Sequence, residues 1–206
     1  MVDMNKVVGL KEARQIVEIL KRHYPGVFDG LEIKYGDYYC YDNARHVVYI
    51  QWKIDVTKED TIRENAVIDI VNEKYGLNLG YSAREKSMHA LLHELGHAAD
   101  LSYKKAFGQY EEYVEKEHDD KFVFESKKHA YFNMRMEYEE LIEAINFKLD
   151  LSDEKRNEKL KDAEELEKEI EEVEHELDYE YREIITEKAA DKFSADLLKG
   201  LFRNII

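Results

Sequence analysis

One cysteine and one proline, Cys40 and Pro25, stand in a chain of 206 residues. A single thiol rules out an intrachain disulfide framework and is compatible with a reducing compartment. No proline follows Pro25 and no Gly/Ser-rich stretch marks a linker, so the composition predicts one domain over residues 1–206. Positive charge is scarce as well. Lys and Arg number 31 against 46 Asp and Glu, a net charge of −15, which argues against nucleic acid and anionic membrane as principal partners. Residues 1–20 lack the unbroken apolar core of a secretory signal, and no later run is long enough to span a bilayer. These absences lead to the expectation of a cytoplasmic protein. Export by a dedicated secretion machine leaves no such mark and stays open.

What the chain has is 44% apolar residues, enough for a sizeable core, arranged mostly with helical period. Leu10 to Tyr24 places Ile16, Ile19 and Leu20 on one side and stops at Pro25-Gly26. Leu31 to Tyr35, Tyr38 to Tyr41 and His46 to Ile54 are rich in β-branched and aromatic residues, with a turn at Asp42-Asn43. They predict a three-stranded antiparallel sheet. Thr61 to Tyr75 reads as a helix ending at Gly76, and Ser82 to Leu101 as another. Further on, Glu125 to Leu149 and Asp153 to Leu198 read as long helices separated near Asp150-Leu151-Ser152. Ala163, Leu166, Ile170, Val173, Leu177, Tyr181 and Ile184 follow the 3-4 spacing of a coiled-coil seam. An antiparallel hairpin, with Tyr131, Met134, Tyr138, Leu141 and Ile145 covering that seam, is the favoured reading, and dimerisation through the hairpin is left open.

Chemistry concentrates in His93-Glu94-Leu95-Gly96-His97. On a helix, residues four apart share a face, so both imidazoles can reach one metal ion. Glu94 then lies where a carboxylate can take a proton from an attacking water and deliver it to a leaving amine. Ser82 and Glu85 form a capping-box pattern that starts this helix, and Met88, Leu91, Leu92, Leu95, Ala98 and Ala99 give it a core-facing surface. Gly96 costs about 1 kcal/mol against Ala in a helix interior. Its presence predicts that another backbone, or a substrate, passes close to the turn between the histidines. His89 extends the ladder to three, but the outer pair sit about 12 Å apart along the axis, so His89 is read as a core residue or one that supports a ligand. Asp100 is read as structural.

Two histidines leave a catalytic zinc short of its usual third protein ligand. The best candidate stretch is Thr186-Glu187-Lys188-Ala189-Ala190-Asp191-Lys192-Phe193-Ser194. An HExxH helix followed by a helix carrying E-x-x-A-D resembles the gluzincin metallopeptidases. The resemblance implies a zincin-like fold and zinc-dependent peptide hydrolysis. Zn2+ would be held by His93, His97 and Glu187, with Glu94 as general base and acid. Asp191 would be the carboxylate that orients a ligand histidine, Ala190 the small residue that lets two helices approach, and Phe193 a packing residue behind the site. The ending Phe193-Ser194-Ala195-Asp196-Leu197-Leu198 is also similar to the ImmA/IrrE-type peptidases. Ala189 and Asp191 depart from that subgroup's usual Glu and Asn, so the superfamily is the better supported level. In such enzymes an edge strand beside the metal helix pairs with extended substrate; His46–Trp52 is the candidate here, with ordinary packing inside the sheet as its equal alternative.

His118-Asp119-Asp120-Lys121-Phe122 offers an alternative, since it resembles the segment that supplies a third histidine in SprT- and Wss1-like proteases acting on DNA-linked proteins. The acidic balance works against that substrate. His118 and His129 are otherwise exposed histidines. A non-catalytic regulatory or scaffold protein binding a partner through its hairpin is the alternative from another class; Glu94 argues against it, because a structural site needs no base. The expectation is a mainly helical α+β protein with a small antiparallel sheet and a helical-hairpin insertion over residues 125–182. Its function would be that of a zinc endopeptidase acting on a protein or peptide, with no nucleic acid or membrane partner and its oligomeric state open.

Overall fold

The computed structural model describes residues 6–52, 58–147 and 152–202. It is a mainly helical α+β structure in which the described residues form six helices and a three-stranded sheet. Two compact units divide it: residues 1–117 with 184–206, and residues 118–183. No helix among the described residues is long and apolar enough to cross a membrane.

The first unit begins with α1 (Leu10–His23), whose buried Ala13, Ile16, Val17 and Leu20 follow the helical spacing of the sequence. Strands β1 (Glu32–Tyr35), β2 (Cys40–Asp42) and β3 (Val47–Ile50) form a sheet in the order β1-β3-β2. Here the antiparallel expectation is corrected. β3 runs antiparallel to β2 but parallel to β1, with Glu32 opposite Val47 and Tyr35 opposite Ile50. The reason lies in burial. Val47, Val48 and Ile50 are all buried, and a strand buried on both faces takes the centre of a sheet. Residues 36–46, β2 included, therefore serve as the crossover that a parallel pair requires. Gly36 lets the chain leave β1 past Tyr49, because a Cβ there would sit 2.9 Å from the Tyr49 Cβ. The expected extension of the third strand to Ile54 lies outside the described residues.

Helix α2 (Lys58–Tyr75) stops at Gly76, whose φ of 60° suits a residue without a Cβ. Helix α3 (Ala83–Ala106) starts as its sequence predicts. Ser82 Oγ accepts from the Glu85 backbone N–H at 3.2 Å, and Glu85 accepts from Ser82 Oγ at 2.6 Å and from the Gly80 N–H at 2.9 Å. The start is thereby tied both to the cap and to the chain two residues before it. Its apolar face enters a core with Val8, Phe28, Val48, Ile50 and Leu198. Sheet strands β2 and β3 both pack against α3.

Helix α4 (Tyr110–Phe147) begins well before the expected Glu125, and α5 (Asp153–Tyr181) is capped by Ser152. The continuous helix expected from Asp153 to Leu198 is two helices. Arg182 and Glu183 turn, Ile184 is buried with a non-helical ψ of 132°, and α6 (Ile185–Lys199) follows. The expected extension of α4 to Leu149 and the break at Asp150-Leu151 lie outside the described residues.

In the second unit, residues 118–183, the expected hairpin forms. Phe124 packs on Tyr181 with ring centroids 5.4 Å apart, Lys127 pairs with Glu180, and the Tyr138 hydroxyl donates to Glu167 at 3.3 Å. Burial, then the Glu174 carboxylate, raises the Tyr131 phenol above its usual range. Each contact pairs an earlier residue of α4 with a later one of α5, so the helices run antiparallel. Ala163, Ile170 and Leu177 are buried along the predicted seam, as is Ile145 facing them.

Candidate metal centre

The site lies where α3 and α6 touch. Gly96 makes that contact possible: a Cβ at this position would lie 2.7 Å from the Ala190 Cα and 2.8 Å from its carbonyl oxygen. No real Cβ tolerates such approaches to a backbone, so the glycine that weakens α3 locally is what admits α6. Ala190 is fully buried and contributes the small side chain on the other side. Phe193, one turn on, packs behind the contact against Tyr24 and Phe28 at ring distances of 5.6 and 6.2 Å. The Tyr75 hydroxyl donates to the Lys188 carbonyl at 3.3 Å, joining α2 to the same helix.

This approach gathers four of the predicted site residues. His93 Nε2 lies 3.1 Å from Glu187 Oε2 and 3.1 Å from His97 Nε2, and His97 Nε2 lies 3.6 Å from Glu187 Oε1. His93 Nδ1 sits 2.7 Å from Asp191 Oδ1, and Asp191 is fully buried. A carboxylate only accepts, so His93 Nδ1 carries the proton and donates it to Asp191. His93 Nε2 then presents a lone pair toward Glu187. Two acceptors facing each other at 3.1 Å repel unless a cation lies between them, and a nearby third acceptor, the His97 ring, converges on the same point.

The spacing fits a particular cation class. A tetrahedral ion with bonds of about 2.0–2.1 Å holds its ligands about 3.3 Å apart, and the three donor separations here, 3.1, 3.1 and 3.6 Å, bracket that value. Two imidazole nitrogens and a carboxylate oxygen are a donor set suited to zinc. Glu94 stands beside this group, its carboxylate and both imidazoles offering donor atoms within 4.8 Å of one another. His97 keeps a side-chain exposure of 20% while His93 and Glu187 are buried, so the site opens on the His97 side.

Other predicted residues fall outside the donor set. His89 is buried with its ring 6.1 Å from that of His93, in the core position expected of it. Asp100 accepts a hydrogen bond from the Tyr113 hydroxyl at the start of α4, and burial pushes its carboxyl above the usual range. It fastens two helices rather than ending one. His118 is 82% exposed, its Nδ1 4.0 Å from the neighbouring Asp119, and His129 is exposed on the same helix.

The expected edge strand is corrected. His46–Trp52 contains β3, the central strand, whereas the edge packed against α3 is β2. Cys40 on β2 registers the proximity. Burial, then the negative charges of Glu94 and Asp42, push its thiol above the ordinary range. The sequence held a usable signal, since Val47-Val48-Tyr49-Ile50 is far more apolar than Cys40-Tyr41-Asp42 and a central strand is the more apolar one.

Comparison with protein-family models, with curated proteins and with solved structures returned no match.

Proposed function

We propose that this chain is a zinc-dependent endopeptidase of the gluzincin kind, acting on a protein or peptide. The observation that carries the proposal is the convergence of His93, His97 and Glu187 on one point, with Asp191 holding the His93 tautomer. These three residues would hold the ion. When bound, zinc supplies a Lewis acid for the scissile carbonyl and lowers the pKa of water.

The chain's own residues do the rest. Glu94 would take the proton of the attacking water and return it to the leaving amine nitrogen, a role its position beside both imidazoles supports. Asp191 fixes the ring of His93 so that Nε2, not Nδ1, faces the site. The outer edge of β2, unpaired among the described residues and alongside α3, offers backbone donors and acceptors to an extended peptide, which would add as a further strand. The net charge of −15 favours substrates that are neutral or basic over acidic ones. A four-fifths-exposed His118 lends the third-histidine alternative no comparable support.

The test pairs metal content with turnover. Purified protein is expected to carry about one zinc per chain and to cleave members of a mixed peptide library, with loss of cleavage on chelation and recovery with zinc. Glu94→Gln is expected to retain the metal and lose cleavage, because an amide cannot accept the proton. Retained cleavage in that variant defeats the mechanism. A metal-loaded wild type that cleaves no peptide or protein turns the reading toward a non-catalytic metal site.

A further inference from the structure

Helix α4 carries a second apolar face that the hairpin does not use. Phe124, Tyr131, Met134, Tyr138, Leu141 and Ile145 form the heptad seam toward α5 and are at least partly buried. On the opposite face Phe122, Phe132, Met136 and Phe147 are 70%, 53%, 58% and 79% exposed. In heptad terms these are outward positions, which a solvated hairpin fills with polar residues. Three phenylalanines and a methionine there call for a cover.

We propose that this face binds α4 of a second copy of the chain, antiparallel, across a two-fold axis level with Met134. The stripe is self-complementary about that point. Phe132 and Met136 each lie two residues from Met134, and Phe122 and Phe147 lie twelve and thirteen residues from it. An antiparallel pair therefore sets Phe132 against Met136 of the second copy and Phe122 beside its Phe147. This is the residue-i-to-j and j-to-i matching that an isologous interface demands.

Charge selects the same orientation. Apart from Lys127, which pairs with Glu180 of α5, residues 121–135 carry Lys121, Lys128 and Arg135 against Glu125 alone, whereas residues 136–147 carry Glu137, Glu139, Glu140 and Glu143 and no cation. Antiparallel packing lays the cationic half of one helix on the anionic half of the other, with Lys128 across from Glu140 and His129 across from Glu139. Parallel packing lays like on like. One unfavourable pair results, Glu125 with Glu143, and Glu125 already has Lys128 at 3.2 Å on its own helix. Each exposed phenylalanine brings on the order of 100 Å² to the contact. With Met136 the apolar part comes to about 400 Å² per copy, against roughly 800 Å² per partner in a standard stable interface. Flanking charged side chains enlarge it. The expected dimer is accordingly of micromolar rather than nanomolar affinity. It is independent of the metal centre and of the proposed hydrolysis.

Sedimentation of the full chain over a concentration series reads the proposal directly. The wild type is expected to pass from monomer to dimer in the micromolar range. Phe132→Glu with Met136→Glu is expected to weaken the dimer by about 100-fold or more, the loss typical of central contacts, with helical content and zinc content unchanged because both positions are exposed. Lys128→Glu and Glu140→Lys should each weaken it several-fold at low salt, and the two together should restore it, since the swap preserves the antiparallel pairing. A chain that stays monomeric at high concentration overturns the proposal and leaves the stripe to a different protein. A dimer indifferent to the Phe132/Met136 change overturns it as well, and failure of the double swap to restore association refutes the antiparallel arrangement.

Discussion

Two helix pairs in this molecule meet in opposite ways. Between α3 and α6 the backbones themselves touch, through Gly96 and Ala190, and the His93–Asp191 hydrogen bond spans the same pair of helices. Between α4 and α5 the meeting is made by long side chains: Phe124 on Tyr181, Tyr138 to Glu167, Lys127 to Glu180. Backbone contact leaves no slack, and slack is what a converging donor set tolerates least, since a metal site loosened by about an ångström loses its geometry. Tyrosines and ion pairs absorb small errors of register and suit a pair whose task is to stay paired. The chain spends its helix-weakening glycine on the first pair and its glutamates on the second.

Changes at the donor cluster should separate the two pairs most sharply. Glu187→Ala is expected to lower zinc affinity beyond the roughly 100-fold that bounds the loss of a supporting partner, measured by competition with a chelator, while His118→Ala leaves it unchanged. If His118→Ala strips the metal instead, the ligand assignment fails. Next in size, Gly96→Val should destabilise the first unit by about 3 kcal/mol, near the top of the range for overpacking, because the neighbour it meets is backbone and cannot turn aside. Thermal unfolding with and without zinc measures this, and an undiminished midpoint would refute the close approach. On the other pair, Tyr131→Ala should cost about 1 kcal/mol, a typical single-residue effect, with zinc content untouched. The smallest effect lies at the sheet edge. In the metal-free protein Glu94→Gln removes the charge that helps hold the Cys40 thiol up, so alkylation of Cys40 near neutral pH should quicken, by less than the tenfold that one pKa unit brings. An unchanged rate would place β2 farther from Glu94.

Helix α3 was legible in the sequence because several signals agreed on it: the Ser82/Glu85 cap, the apolar period and the His/Glu face all mark the same segment. Gly96 went further, predicting a close backbone neighbour that proved to be Ala190. The order of the sheet was less accessible. Strands of three and four residues hold little register information, and the difference between an edge and a centre lay only in how apolar each was. The end of α5 left no trace at all, since Tyr181-Arg182-Glu183-Ile184-Ile185 contains no glycine or proline and every residue in it is compatible with a helix. Ile184 is buried at the break, and such tertiary packing is not carried by the local sequence.

The antiparallel pairing of α4 and α5 has a further consequence, for the speed at which the ligand set assembles. His97 and Glu187 are 90 residues apart in the chain, and joining distant points early in folding is entropically expensive. Phe124 and Tyr181, however, come together once the hairpin zips, and hairpins built on sequence-local contacts zip fast. The search then runs through two tethers, from His97 to Phe124 and from Tyr181 to Glu187, together roughly a third of the original span. By the logarithmic law of loop closure, that shortcut is worth about 1 kcal/mol of chain entropy. Tyrosines on the hairpin therefore help set how soon Glu187 finds His93 and His97, and loosening the seam should slow assembly of this donor cluster before it measurably weakens the finished cluster.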